Sequence, residues 1–310
     1  MATVTGWTLK DMPDLTGKTI VVTGANSGLG FQAARAFAAK GAHVVLACRD
    51  TERGEIAAEG VRNHAPDASL EVRALDLASL ESVRGFATGL RGVHDRIDIL
   101  CNNAGVMAIP LRRTADGFEM QFGTNHLGHF ALTGLLIDLM TAAPDARIVT
   151  LSSNAHQFGR IRFDDLNWNQ GYRSWPAYGQ SKLANLLFAF ELDRRLRRKS
   201  LAIKSVACHP GYAATNLQLA GPRMQGSSFM ETTWKAINDV LAQSPEMGAL
   251  PTMYAATSGD VESGDYIGPD GLAQWWGFPK KVDCWSHARD EAMADHLWEL
   301  SEELTSIRFP

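Results

Sequence analysis

Short, β-branched, apolar runs alternate with stretches of helical periodicity through the first half of this 310-residue chain. The runs are continuously apolar, as expected of parallel strands that are buried on both faces; they lie at Thr19–Thr23, His43–Ala47, Leu70–Ala74, Ile97–Leu100 and Arg147–Leu151. Helical spacing of apolar residues fills the intervals, over Leu29–Lys40, Arg53–Asn63, Ser79–Leu90 and Glu119–Met140. This alternation predicts an α/β fold built on a doubly wound parallel sheet with right-handed crossovers.

The second half of the chain continues the pattern. Helices are predicted over Ser174–Lys199, Glu231–Ala242, Glu246–Thr257 and Ser286–Leu304, and strands at Ala202–Ala207 and Asp265–Ile267. No Pro- or Ser-rich linker and no block of charge divides the chain, so we expect one domain over residues 1–310. Residues 215–240 mix large apolar side chains with glycines and polar residues, which predicts a substrate lid, with ordinary packing or a subunit interface as the alternative.

Composition and charge exclude several classes of partner. The chain has 30 Lys and Arg against 34 Asp and Glu, so its net charge of -4 gives no electrostatic reason to expect nucleic acid or an anionic membrane. Its 4 cysteines are far apart and form no Cys-x-x-Cys pair, which argues against a disulfide framework or a zinc ribbon. The chain starts without an apolar segment typical of a signal peptide and has no long apolar stretch, so we expect a cytoplasmic protein without a membrane anchor.

A glycine-rich turn stands directly after the first predicted strand. It reads Thr23-Gly24-Ala25-Asn26-Ser27-Gly28-Leu29-Gly30 and opens the first predicted helix. Gly24 permits a tight turn, Gly28 lets the backbone approach a pyrophosphate, and Gly30 lets helix and strand pack closely. The free N–H groups of the helix N-terminus favour an anion there. The turn therefore predicts a dinucleotide site, with a plain glycine-rich turn as the alternative; its expected contacts are Gly24, Asn26, Ser27, Gly28, Leu29 and Gly30.

The Gly-x-x-x-Gly-x-Gly spacing resembles that of the short-chain dehydrogenase/reductase family, and the resemblance covers nearly the whole chain. Further matching motifs follow in order: Asp76-Leu77, Asn102-Asn103-Ala104-Gly105, Asn125-His126-Leu127-Gly128-His129-Phe130, Ser152-Ser153, Tyr178-Gly-Gln-Ser-Lys182 and Pro210-Gly211. The segments Ala47-Cys48-Arg49-Asp50 and Ser181-Lys182-Leu183-Ala184-Asn185 are most similar to the retinol dehydrogenase-like and protochlorophyllide reductase-like branch. The resemblance implies a Rossmann-type fold and an oxidoreductase that moves hydride between a nicotinamide and a carbonyl or alcohol.

Four residues are implied to do the chemistry. Tyr178 and Lys182 are four residues apart in a predicted helix, so both project from one face. A nearby ammonium favours the phenolate, and we therefore expect Lys182 to lower the pKa of Tyr178. By resemblance, Lys182 also binds the nicotinamide ribose, Ser153 holds the substrate oxygen, and Asn125 anchors a water that leads to the lysine. Ser152 is the competing candidate for the serine, because alternate residues of a strand face opposite sides and only one can meet the tyrosine.

The end of the second strand bears on the choice of nicotinamide cofactor. An acidic residue there binds the ribose hydroxyls of NAD, whereas an arginine accommodates the 2′-phosphate of NADP. In the family, the position of Cys48 usually carries that acid and an arginine at Arg49 is typical of NADP users. We predict NADP(H), with NAD as the alternative if Asp50 reaches the ribose. The other implied cofactor contacts are Asp76, Leu77, Asn102, Ala104, Gly105, Tyr178, Lys182, Pro210, Gly211 and Thr215.

Other kinds of site and function fit the sequence less well. The histidines at 126, 129, 156 and 209 have no zinc-motif spacing, so we expect structural roles and no metal. The chain has no Gly-x-Ser-x-Gly elbow for a serine hydrolase. A methyltransferase would have no use for the Tyr-x-x-x-Lys pair, whereas a cofactor-binding regulatory protein without turnover stays open. A lipophilic small-molecule substrate and a homo-oligomer are further expectations.

Overall fold

The computed structural model describes residues 6–213 and 242–310. Within those residues, one sheet is formed in the order β3-β2-β1-β4-β5-β6-β7-β8, parallel except for the antiparallel last strand. Its strands are β1 Thr19–Thr23, β2 His43–Cys48, β3 Leu70–Ala74, β4 Ile99–Asn102, β5 Ala146–Leu151, β6 Ile203–Cys208, β7 Tyr266–Pro269 and β8 Pro279–Lys281. The strand order reverses direction between β1 and β4, which is where ligands of doubly wound sheets bind. The predicted fold class is confirmed.

Helices connect the strands and cover both faces of the sheet. In the described part of the chain they are α1 Gly28–Ala39, α2 Thr51–Arg62, α3 Leu80–Arg91, the single turn α4 Met120–Phe122, α5 Gly128–Thr141, α6 Ser174–Arg198, α7 Pro245–Thr257 and α8 Glu291–Thr305. Side chains cap several N-termini: Asp50 accepts from Arg53 N in α2, and Ser79 accepts from Ser82 N in α3. Such caps satisfy backbone donors that have no partner within the helix and so fix where each helix begins.

Two hydrophobic clusters fill the space between the helices and the sheet. The larger cluster includes Phe130, Phe188 and Trp298 from α5, α6 and α8. The smaller includes Phe37 of α1 and Met253 of α7 on the other side of the sheet. The strands are buried between these clusters, which explains their continuous apolar character. Over the described residues, no helix combines the length and the apolar content that a bilayer crossing requires.

Several predicted boundaries differ from the structure. Strand β4 begins at Ile99, two residues after the predicted start at Ile97. The predicted helix Glu119–Met140 is interrupted by a π-helical turn, Gly123–Leu127, and the last predicted helix begins as a separate 3₁₀ turn, Ser286–Arg289. Strand β8 was not predicted. The expected lid at 215–240 lies outside the described residues, as does the expected helix at 231–242 apart from its last residue.

Candidate active site

The glycine-rich turn leaves β1 and enters α1 in a conformation that glycine supports best. Gly24 and Gly28 have φ angles of +67° and +57°, in the left-handed region that disfavours a side chain. At Gly30 the constraint is space, because a Cβ would lie 2.5 Å from the Gly24 carbonyl oxygen and 2.5 Å from Asn103 Nδ2. Both requirements keep the backbone bare where the turn faces solvent.

A groove of about 190 Å³ runs along this turn. Every expected contact of the turn lines it, as do residues that follow β4; the lining is Gly24, Asn26, Ser27, Gly28, Leu29, Gly30, Asn103, Ala104, Gly105 and Leu151. Ser27, the N-cap residue of α1, makes no side-chain capping bond. The buried Asn103 Oδ1 has no hydrogen-bond partner among the described residues. The free N–H groups of the helix N-terminus beside bare backbone fit the pyrophosphate of a dinucleotide.

Tyr178 and Lys182 lie side by side on α6, beside the end of β5. The Lys182 Nζ is 5.7 Å from the centroid of the Tyr178 ring and donates a hydrogen bond to the Leu151 carbonyl oxygen at 3.1 Å. Both side chains are buried, with 5% of Tyr178 and 3% of Lys182 exposed. The expected pairing of the phenol with an ammonium is therefore present, and the pair faces the substrate cleft described below.

The pKa values of this pair differ from the sequence-based expectation. Burial raises the pKa of Tyr178 to about 12, and a hydrogen bond with Ser153 opposes that shift. Burial also lowers the pKa of Lys182 to about 8. Because removal from water disfavours the phenolate more than nearby groups favour it, the net pKa of Tyr178 lies above its ordinary value and not below it as expected. Both side chains hold their protons at neutral pH.

The two serines at the end of β5 face different partners. Ser153 lines the cleft with Tyr178, and its Oγ accepts from Ala155 N at 3.2 Å. Ser152 is buried and donates from Oγ to the Lys182 carbonyl oxygen at 2.8 Å. Both serines line the cleft, but the Ser152 hydroxyl hydrogen is used to hold α6, which makes Ser153 the stronger candidate to meet a substrate oxygen beside Tyr178.

Asn125 lies in the π-helical turn and is held on three sides. Its Oδ1 accepts from Val106 N at 2.8 Å, while its Nδ2 lies 2.9 Å from Ser181 Oγ on α6. Its backbone carbonyl accepts from His129 Nδ1 at 2.9 Å. These bonds tie Asn125 to the segment after β4 and to the helix that carries Tyr178 and Lys182.

The hydrogen-bond partners of His129 fix its tautomer. Burial lowers its pKa to about 4, so the ring is neutral and carries one N–H. The Asn125 carbonyl can only accept, so Nδ1 donates to it and Nε2 accepts from the Thr23 hydroxyl at 2.9 Å. Thr23 Oγ1 in turn accepts from the N–H groups of Asn103 and Ala104, each at 2.9 Å. A buried chain of hydrogen bonds thus connects the glycine-rich turn with Asn125.

The residues expected near the adenosine end follow β2 and β3 at the same edge of the sheet. Arg49 is exposed directly after β2. The carboxylate of Asp50 is occupied in capping α2, where Oδ1 accepts from Arg53 N at 3.1 Å. Asp76 Oδ1 accepts from Ala78 N at 2.9 Å, and Leu77 is buried against the start of α5. Arg49, Asp76 and Leu77 do not line the groove itself.

Asn102 is a correction to the expected cofactor contacts. Its side chain is fully buried and donates from Nδ2 to Thr133 Oγ1 at 3.0 Å, beneath the groove rather than in it. The following residue, Asn103, lines the groove instead. The chain leaves the strand between these residues, so strand alternation does not indicate which amide faces the ligand.

A cleft of about 410 Å³ adjoins the groove and contains the Ser153, Tyr178 and Lys182 side chains. Pro210 and Gly211 line it as predicted, while Thr215 lies outside the described residues. Its walls also include residues that the sequence analysis did not assign to this site: Met107, Gln157, Tyr212, Ala213 and Trp275. Phe158 and Trp175, from the segment between Ser153 and Tyr178, line it too.

The four histidines whose spacing excluded a zinc motif are all buried. His126 Nε2 lies 3.0 Å from Ser301 Oγ, and His209 Nε2 lies 2.9 Å from Gln274 Oε1. His156 Nδ1 lies 2.7 Å from the Ser153 carbonyl oxygen. Burial lowers the pKa of each of these three rings. They pack and bond as neutral side chains.

The groove and the fold together define a class, an α/β protein that binds NAD(P) at the carboxyl edge of a parallel sheet. The model of the short chain dehydrogenase family matches residues 18–225. Human retinol dehydrogenase 13 is 44% identical over 310 residues, covering 99% of this chain and 90% of the relative. Human retinol dehydrogenase 11 is 39% identical over 295 residues, covering 94% and 87%.

Solved structures of similar proteins also support membership of this family. The crystal structure of an uncharacterised protein from Mycobacterium paratuberculosis has a TM-score of 0.82 and 45% identity, covering 99% of this chain and 100% of its own. A protein from Beutenbergia cavernae, described as an NAD(P)-dependent gluconate 5-dehydrogenase and solved with NADP at low occupancy, has a TM-score of 0.62 and 26% identity, covering 82% and 95%.

The chain therefore belongs to the short-chain dehydrogenase/reductase family, in its retinol dehydrogenase-like branch. It is an oxidoreductase that acts on CH–OH and C=O groups.

Proposed function

We propose that this protein is an NADP(H)-dependent oxidoreductase that interconverts a lipophilic carbonyl compound and its alcohol, with Tyr178 as general acid and base. The observation that carries the proposal is the buried Tyr178–Lys182 pair, which opens with Ser153 into an apolar cleft beside the glycine-lined groove. A protein that only bound a dinucleotide would have no need of a phenol and an ammonium in that cleft.

The residues divide the work as follows. The glycine-rich turn and the residues after β4 would hold NADP(H), which when bound would supply or accept the hydride at the substrate carbon. In the reducing direction, Tyr178 gives its phenolic proton to the carbonyl oxygen, and Ser153 donates a hydrogen bond to the same oxygen. Lys182, charged at neutral pH with a pKa of about 8, stabilises the phenolate that Tyr178 leaves behind. In the oxidising direction, Tyr178 must first release its own proton to solvent, and the resulting phenolate then takes the hydroxyl proton. Asn125 positions α6 through Ser181.

Arg49 supports the choice of NADP(H). It is exposed at the end of β2, where a 2′-phosphate would lie in this fold. Asp50, the acid that could favour NAD, is held by its capping bond to α2. The lipophilic substrate is supported by the apolar walls of the cleft, which include Met107, Phe158 and Trp275. The relatives named retinol dehydrogenases suggest retinal as one compound to test.

The central experiment measures NADPH-dependent reduction of a panel of aldehydes and ketones, including retinal, by nicotinamide absorbance. Tyr178→Phe should lower kcat/KM by about 10²–10⁴-fold, the range for loss of a general acid, while NADPH binding persists. Tyr254→Phe is the matched control, since its hydroxyl bonds Asp260 outside the cleft, and it should leave turnover unchanged. Full activity in Tyr178→Phe would refute the mechanism; NADPH binding by the wild type without turnover of any compound would favour a regulatory binder.

The cofactor is tested separately. Arg49→Gln should raise the KM for NADPH about 10- to 100-fold, as expected for loss of a charge-assisted hydrogen bond of about 1.5–3 kcal/mol, and leave the KM for NADH unchanged. Arg62→Gln, on the last turn of α2, is the control. A wild-type preference for NADH would overturn the NADP assignment.

The lipophilic substrate makes its own prediction for a series of straight-chain aldehydes. Each additional CH₂ that the cleft buries contributes about 0.8 kcal/mol, which corresponds to about a fourfold gain in kcat/KM. A kcat/KM that does not change along the series would contradict a lipophilic substrate.

Three further predictions from the sequence are still to be checked. Limited proteolysis tests a single domain with a lid at 215–240, cell fractionation tests a cytoplasmic location, and light scattering tests a homo-oligomer.

A further inference from the structure

Two histidines and a glutamate converge at the edge of the sheet opposite the groove. His43 is the first residue of β2, Glu71 is the second residue of β3, and His94 follows α3. These three residues come from separate parts of the chain and meet where the strands begin, whereas the groove and the cleft lie where the strands end. The proposed function uses none of them.

The three side chains present their metal-binding atoms to one another. Glu71 Oε2 lies 2.8 Å from His94 Nε2 and 3.6 Å from His43 Nε2. All three atoms lie within 4.8 Å of one another, and the two imidazole rings have centroids 5.2 Å apart. Two imidazole nitrogens around one carboxylate oxygen are a ligand set that Zn²⁺ takes in proteins, with nitrogen and oxygen about 2.0–2.2 Å from the ion.

His43 is oriented as a metal ligand would be. Its Nδ1 is 2.7 Å from Ser69 Oγ, while its Nε2 is buried and has no hydrogen-bond partner among the described residues. If Nδ1 donates to the serine, the Nε2 lone pair points at Glu71. Metal-binding histidines usually make such a bond with their second nitrogen, because it fixes the tautomer and the direction of the ring. An unpaired buried nitrogen without a metal would cost free energy.

Glu71 is held in an equally suitable state. Arg73 binds its other oxygen, Oε1, through both Nε and Nη2, which leaves Oε2 turned toward the histidines. The nearby guanidinium also repels a cation, so the binding should be moderate rather than tight.

We propose that His43, Glu71 and His94 bind one Zn²⁺ ion, with water at the remaining coordination position. The ion would connect β2, β3 and the segment after α3, so its effect is on stability and not on hydride transfer. Binding does not depend on the proposed function, because no residue of the cleft takes part. The competing explanation is a simple His94–Glu71 ion pair, which needs no metal.

Isothermal titration of the whole, chelator-treated protein with ZnCl₂ tests the proposal. We expect one Zn²⁺ per chain with a micromolar Kd, and at least a tenfold weaker Kd in His43→Gln and in His94→Gln. His64→Gln, an exposed histidine that follows α2, is the matched control and should bind as the wild type does.

Two readouts keep the test independent of folding defects in the variants. Saturating Zn²⁺ should raise the Tm of the wild type and of His64→Gln but not that of His94→Gln, and Mg²⁺ should have no effect because it prefers oxygen ligands. Co²⁺ should give visible d–d absorption in the wild type that Glu71→Gln weakens. Absence of stoichiometric Zn²⁺ binding, or binding that is unchanged in both histidine variants, would overturn the proposal and leave the ion pair.

Discussion

The two ends of the parallel sheet use histidine in opposite ways. At the carboxyl end, His129 is 1% exposed, both of its ring nitrogens have partners, and burial holds its pKa at about 4. At the amino end, the His43 side chain is 30% exposed and its Nε2 has no hydrogen-bond partner in the part of the chain that the structure describes. The His129 ring can only hold its neighbours in place, whereas the His43 ring has a nitrogen that can bind a ligand. The hydrogen-bond partners of a histidine, rather than its residue type, therefore indicate whether it positions other residues of a site or binds a ligand itself.

After Tyr178→Phe, Lys182→Met gives the largest expected effect, because it removes the ammonium at the carboxyl end while keeping an unbranched side chain. The phenolate then loses its nearest positive charge, so kcat should fall by about 10²–10³-fold, within the range of acid–base contributions. Steady-state kinetics with NADPH measures it. A loss of less than tenfold would mean that Tyr178 works without Lys182.

Gly30→Ala tests the bare backbone of the groove. The added Cβ would lie 2.5 Å from the Gly24 carbonyl oxygen, so the turn must shift away from the pyrophosphate position. The KM for NADPH should rise about 10- to 100-fold, equivalent to about 1.4–2.8 kcal/mol of binding.

Gly85→Ala is the matched control for that change. Gly85 lies in α3, its added Cβ would meet nothing within 4 Å, and the substitution should raise stability by about 0.5–1 kcal/mol with the KM unchanged. Equal KM effects in the two variants would show that the groove is not the cofactor site.

The pH dependence of reduction reports on Lys182. Burial lowers its pKa to about 8, so the ammonium is present below that pH and is lost as the pH rises through it. Tyr178, with a pKa of about 12, keeps its proton throughout this range. The kcat for reduction should therefore be flat below pH 7 and fall roughly tenfold by pH 9, following the charged fraction of a group with that pKa. A rise in kcat over the same range would contradict this assignment.

His129→Phe removes the ring nitrogens that connect Asn125 with Thr23 but keeps an aromatic ring. The Asn125 carbonyl and the Thr23 hydroxyl then each lose one buried hydrogen bond, so the free energy of unfolding should fall by about 1–3 kcal/mol. The kcat should fall severalfold while the KM for substrate changes little, because Asn125 and α6 lose a tether. If the variant is less stable but its kcat is unchanged, the hydrogen bonds between Thr23, His129 and Asn125 have only a structural role.

The smallest expected effect comes from the amino end. His94→Gln should change kcat and KM by less than about twofold, since residues far apart without shared partners act independently. A tenfold loss of activity would show that the two ends of the sheet are coupled, and would contradict their independence.

Local spacing made much of this site predictable from sequence. Tyr178 and Lys182 share a face because residues four apart on a helix are neighbours, and the glycine spacing follows from steric limits at the turn. The burial of Tyr178 was not predictable from the sequence, and for that reason the predicted direction of its pKa shift was wrong. The exchange of Asn102 for Asn103 arises where the chain leaves a strand, and the π-helical turn at Asn125 has no periodicity that distinguishes it from the helix around it.

The amino-end cluster shows a different limit. His43, Glu71 and His94 are separated in sequence by 28 and 23 positions, as their numbering gives, and no motif connects them. Only the pairing of β2 with β3, with Val44 opposite Leu70, brings the first two together. Sequence spacing identifies metal-binding residues that lie on one helix or loop. It does not identify residues on separate strands, which come together only through the register of the sheet.

The connection between β7 and β8 turns back toward the cleft. Its Trp275 carbonyl accepts from Tyr212 N at 2.8 Å, and its Gln274 Oε1 lies 2.9 Å from His209 Nε2. This connection lines the substrate side of the site and is absent from the lining of the glycine groove. Replacing the Trp275 side chain should therefore change which compounds the cleft admits while the glycine-lined groove is unchanged, which would give one scaffold a route to many substrates.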